Sequence, residues 1–98
     1  MISNLIDKIT RKSKQFLLQA SRDYQAQKKS CVPYEELIVT NEKYPDYYFL
    51  VHKNMIFDKG SICDTSYNVY SFDKDGEYVK KEEMDLDFFR TNKVIKNI

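Results

Sequence analysis

Tyr67-Asn68-Val69-Tyr70-Ser71-Phe72, Asp73-Lys74-Asp75-Gly76 and Glu77-Tyr78-Val79-Lys80 form one continuous stretch, and its reading decides the fold. Tyr, Val and Phe flank a turn whose Asp-Gly pair supplies the positive φ that a tight loop needs, so the stretch predicts a β-hairpin. A hairpin commits the chain to an antiparallel sheet. Upstream, Tyr47-Tyr48-Phe49-Leu50-Val51-His52 has the aromatic and β-branched content of a central strand. Met55, Ile56 and Phe57 either continue it past a bulge or begin another strand, and Asp58-Lys59-Gly60 closes the segment. Another strand is expected near residues 36 to 40, ahead of a polar loop from Asn41 to Asp46. Downstream, Glu82 to Phe89 reads either as strand or as a helix with Met84 and Phe88 on one face. Val94, Ile95 and Ile98 then make an apolar tail packed on the sheet.

Toward the N-terminus the periodicity changes. Between Ile2 and about Lys29 there is no Pro or Gly, and Ile2, Leu5, Ile6, Ile9, Phe16, Leu17, Ala20 and Tyr24 recur every three or four residues. At 100° per residue they share one face of an amphipathic helix. Ser3 or Asn4 is expected to cap it, with Asp7 in the first turn, and Pro33 to mark its exit. So long a helix would outrun a small domain. The sequence therefore implies a break at the polar gap from Thr10 to Ser13 or an end that projects, a projecting end being a route to a homodimer through this helix. The economical fold is α+β: a long N-terminal helix on an antiparallel sheet of three to five strands, with a C-terminal short helix as an option.

The 98 residues fit a single domain, and 42% hydrophobic with 32% charged residues is a globular composition. No apolar run approaches the ~18 to 20 residues of a membrane span. No membrane association is expected. The opening residues lack the pattern of a secretory signal, so a cytoplasmic address is expected, with Cys31 and Cys63 reduced. Scarce Gly and Pro beside abundant Lys, Asn, Ile and Tyr suit AT-rich coding DNA of bacterial or phage type.

Charge is segregated. Residues 1 to 30 carry seven Lys and Arg against two acids, and residues 31 to 98 carry nine against thirteen. A basic helix therefore sits on an acidic, mainly β body. On the helical wheel Arg11, Lys14, Arg22 and Lys29 lie opposite the apolar stripe with Leu18 among them, a candidate docking face for an acidic partner or for phosphates. Asp73, Asp75, Glu82 and Glu83 form a candidate acidic face on the hairpin. Tyr supplies a large, fairly rigid contact area with a polar end, which suits interfaces, although alternation turns about half of the strand tyrosines inward.

Chemistry finds less support. Ser71 to Glu82 matches a calcium loop at Asp73, Asp75, Gly76 and Glu82, but Ser71 occupies the first ligand position and a strand precedes it. The hairpin explains the same residues without a metal. His52 is the sole histidine and has no ligand or nucleophile at motif spacing; a site there would need it to meet Cys31 or Cys63 in space. Glu35-Glu36, Glu82-Glu83 and Asp85-Asp87 are ordinary surface pairs, and two glycines make no phosphate loop. No cofactor is expected. The leading expectation is a non-enzymatic protein-interaction module, such as a small inhibitor, immunity-type or adaptor protein. A nucleic-acid binder using the basic helix, with Gln15, Gln19 and Gln25 at hand, comes second.

Overall fold

In the computed structural model, which describes residues 2–98, the chain runs α1 (Ile2–Gln25), β1 (Lys29–Thr40), β2 (Tyr48–Asp58), β3 (Ser61–Phe72), β4 (Tyr78–Glu82), α2 (Leu86–Thr91) and β5 (Lys93–Asn97). The five strands form one sheet in the order β4-β3-β2-β1-β5, antiparallel at each neighbouring pair. This is the expected α+β architecture. β1, β2 and β3 make a long three-stranded ribbon; β4 and β5 flank only one end of it, called proximal below. The distal end carries the Lys59-Gly60 turn, where both residues have positive φ.

Neither expectation about the long helix is met, because the sheet is as long as the helix. α1 is one continuous helix of 24 residues, about 36 Å at 1.5 Å per residue. The strands of 11 and 12 residues are equally long at ~3.3 Å per residue, and the molecule measures 44 × 27 × 20 Å. Buried or half-buried residues run along α1 from Leu5 to Tyr24. The polar gap does not break it, since Ser13 is buried against polar groups of the sheet.

The ends of α1 and the start of β1 differ from expectation. Ile2 is already helical, so Ser3 and Asn4 lie within the helix rather than capping it, and Asp7 lies beyond the first turn. Gln25 ends the helix and Lys28 turns the chain at φ 60°, which places Lys29 on β1, outside the basic helix. Pro33 is inside β1, eight residues past the helix end, at a bulge where Tyr34 is the extra residue between Pro33 and Glu35. A strand tolerates Pro at a bulge or an open edge because no ladder N–H is needed there.

Strand alternation divides the core in two. On one face Leu5 and Ile9 of α1 pack with Ile38, Leu50, Tyr70 and Phe72, and Phe16 stacks on Tyr70 at 4.2 Å. On the other, Leu37, Val39, Phe49, Val51 and Val69 close over Phe88 of α2. β2 is central and supplies both faces. The hairpin turn docks on α1: a Cβ at Gly76 would lie 3.2 Å from Lys8 Cδ, and Lys8 Nζ bonds the Asp75 carbonyl and Glu77.

Candidate interaction surfaces

α2 is six residues long, too short to stand alone, and the sequence fixes it locally. Asp85 caps it by accepting from the Phe88 N–H at 3.0 Å, Asp87 stands in the first turn and Arg90 in the last, each sign suited to the helix dipole. Phe88 meets Phe49 edge-on at 5.1 Å. The loop after β1 grips the helix from outside. Asn41 donates to the Phe88 carbonyl and to Thr91 Oγ1, and Lys43 pairs with Asp87.

So held, α2 separates two clefts on the sheet face opposite α1. One, of about 360 Å³, is lined by Leu37, Val51, Tyr67, Leu86, Phe89 and Val94, with Glu35, Lys53 and Arg90 at its margin. The other, of about 290 Å³, has Tyr44, Tyr47, Phe49 and Met84 on its walls and Lys80, Glu82 and Glu83 at its rim. Leu86, in the wall of the first, stands 63% exposed. Farther along the ribbon the same face continues uncovered: Val32, Met55 and Thr65 are in register, as are Phe57 and Ile62, and Tyr34 lies against Tyr67. Burial first, and then Tyr67, push the Tyr34 phenol above its ordinary value. The charges on this face compensate one another. Lys53 Nζ lies 3.4 Å from Glu35 Oε1 and 5.8 Å from the centre of the Tyr67 ring.

The residues singled out from sequence fall elsewhere. Arg11, Lys14, Leu18 and Arg22 are exposed on the outward side of α1, as the wheel places them, whereas Lys29 is half-buried at the start of β1. Arg11 also borders a small cleft of about 220 Å³ with Lys8, Lys12, Gln15, Gly76 and Glu77. Asp73 is occupied with its own turn, its Oδ1 accepting from the Asp75 and Glu77 amides at 2.9 and 3.0 Å. Those bonds make a hairpin turn of the calcium-like stretch. Glu82 accepts from Ser71 Oγ at 3.1 Å, and Asp75 and Glu83 are exposed. The acidic set is thus dispersed from the turn to the rim of a cleft and does not join the basic set on α1.

A buried polar tie links α1 to the sheet. Ser13 Oγ donates to Glu36 Oε1 at 2.9 Å and lies 2.8 Å from His52 Nε2. Ser13 gives its single hydroxyl proton to Glu36 and therefore accepts from Nε2–H, leaving the lone pair of Nδ1 without a partner among the described residues. The residue types are those of a nucleophile and its base, but their order is reversed. In a hydrolytic triad the carboxylate orients the histidine from the far side of the ring. Here it takes the serine proton, and both Ser13 and His52 are sealed from solvent. Next in the same seam, the Asn54 amide and Ser66 Oγ have no partner among the described residues.

His52 meets neither cysteine at this tie, and Cys31 and Cys63 are free thiols. β2 stands between their strands, a separation of roughly two strand spacings, too wide for a disulfide. Among the described residues no His, Cys, Asp and Glu group with metal-ligand geometry occurs, and no helix is long and apolar enough to cross a membrane. No protein-family model, curated protein or solved structure matches this chain.

Sequence reasoning missed the α2 face. Val32 and Tyr34 fell ahead of the expected strand, Ile62 between two expected strands, and Leu86 in the segment of undecided type. The available signal was Asp85 three residues before Phe88, a helix N-cap spacing.

Proposed function

We propose that this protein is a non-enzymatic protein-interaction module, an inhibitor, immunity-type or adaptor protein, and that it engages its partner with the sheet face that carries α2. One observation supports the reading above the others. Of the twelve large hydrophobic side chains exposed among the described residues, eight belong to this side of the sheet: Val32, Tyr34, Tyr44, Tyr47, Ile62, Tyr67, Leu86 and Val94. A contiguous apolar patch with tyrosines, rimmed by charges, is the composition of a protein interface, whereas scattered apolar residues are normal on any surface. Leu86 and Tyr67 are the expected anchors.

The test is capture of partners by the tagged full chain, with and without nuclease, using two variants. Leu86→Asp with Tyr67→Asp should weaken the partner's binding by about thirtyfold or more, the loss typical of truncating a central anchor. Arg11→Glu with Arg22→Glu should leave it unchanged. The opposite pattern would overturn the proposal. The second reading, nucleic-acid binding, draws on the cleft of Lys8, Arg11, Lys12 and Gln15 beside the exposed Lys14 and Arg22. It predicts binding lost with nuclease and falling steeply with added salt.

A further inference from the structure

The polar seam beneath α1 carries more hydrogen-bonding capacity than the surrounding side chains use. Alternation puts Glu36 of β1, His52 and Asn54 of β2 and Ser66 of β3 on the α1 side, with Glu36 in register with His52 and Ser66 in register with Asn54. His52 and Asn54 are fully buried, and the Ser66 hydroxyl oxygen is enclosed with them. Four atoms of this patch have no partner among the described residues: His52 Nδ1, Asn54 Oδ1, Asn54 Nδ2 and Ser66 Oγ. The helix above does not supply one. α1 runs along β2 from Ile9, packed in the cluster with Leu50, to Ser13 against His52, and the next residue it buries is Ala20. An alanine brings no polar atom and fills little space.

We infer that this patch is an internal water site, in which one or more long-lived water molecules join His52, Asn54 and Ser66. The inference is independent of the partner face proposed above. Buried polar groups in native proteins are paired because an unpaired one is costly, and the chemistry of these four atoms selects what pairs them. His52 Nδ1 and Asn54 Oδ1 only accept, so they need a donor; the Asn54 N–H groups only donate, so they need an acceptor. An inorganic anion has no proton for the two acceptors and would be buried beside Glu36, and a cation accepts nothing from the amide. Water does both, and in a buried polar site it typically makes about three hydrogen bonds. Both side chains are sealed from solvent, which favours the smallest molecule with both capacities. The spacing agrees. Positions two apart on a strand are separated by ~6.6 Å and directly opposite ones by ~5 Å, while a water with a partner ~2.8 Å away on each side spans ~5.6 Å.

Oxygen-17 magnetic relaxation dispersion of the full chain at neutral pH, run beside water-to-protein ROESY, tests the inference. Wild type should show a dispersion from water that resides longer than nanoseconds, with cross-peaks from water to the Asn54 amide protons. Asn54→Leu, close in shape and without polar atoms, should lose most of the dispersion amplitude. Ser66→Ala, a milder change at a half-buried residue, should shorten the residence time several-fold, which keeps the test decisive if the leucine variant does not fold. A wild type without dispersion, or variants that leave it undiminished, would overturn the inference. So would a direct hydrogen bond from the Asn54 amide to His52 Nδ1, seen as a nitrogen–nitrogen coupling across it.

Discussion

At the residue scale, His52 ties the seam beneath α1 to pH, being buried with Ser13 Oγ at 2.8 Å from its Nε2. Burial lowers its pKa from 6.5 to about 4, with the Glu36 charge acting in the opposite direction. The folded state therefore favours the neutral ring more than the unfolded state does. The associated stability is complete above pH 6.5 and is lost as pH falls from 6.5 toward 4. At ~1.4 kcal/mol per pKa unit the loss is on the order of 3 kcal/mol. Denaturant midpoints measured between pH 7 and pH 4.5 should fall more steeply for wild type than for His52→Gln, which has no imidazole to charge. Equal slopes would show that the ring does not govern this limb. The sequence displayed half of the tie, as the polar gap at Thr10 to Ser13. It did not display what faced the gap, because Glu36 and His52 come from strands whose register only the folded sheet sets.

At the element scale, legibility followed local signals. The hairpin around Gly76, the helix and the loop after β1 were readable because turn chemistry and periodicity act within a few residues. β1 was read from residue 36 although it begins at Lys29. Its distal half faces the polar seam on one side and solvent on the other, so no alternation of apolar residues marks it. α2 is the opposite case, an element made by one cap and a buried ring. Asp85→Ala removes the bond to the Phe88 amide and should lower stability by about 1 kcal/mol. The loss should be read in thermal unfolding and accompanied by weaker shielding of Phe88. An unchanged melting temperature would mean that Phe88 packing alone holds the helix.

At the scale of the whole molecule, the two halves of the ribbon differ in support. The proximal half is flanked by β4 and β5 and covered on both faces; the distal half has α1 on one face and, among the described residues, no element on the other. Backbone openings cost least where few apolar contacts are lost, so amides of residues 61–66 should exchange faster than those of residues 69–72. Uniform protection along β3 would contradict this division. Neither the division nor the bare face was legible beforehand, since both depend on where short β4 and β5 stop along longer neighbours. The strand order also sets a sequence of events during folding. β1 to β4 are joined as successive hairpins, each closing over a short loop, while β5 returns to β1 across the whole of the intervening chain. Loop-closure entropy makes that return the late contact. The C-terminal strand is accordingly the last to seat as the chain folds and the first whose loss the remaining meander survives.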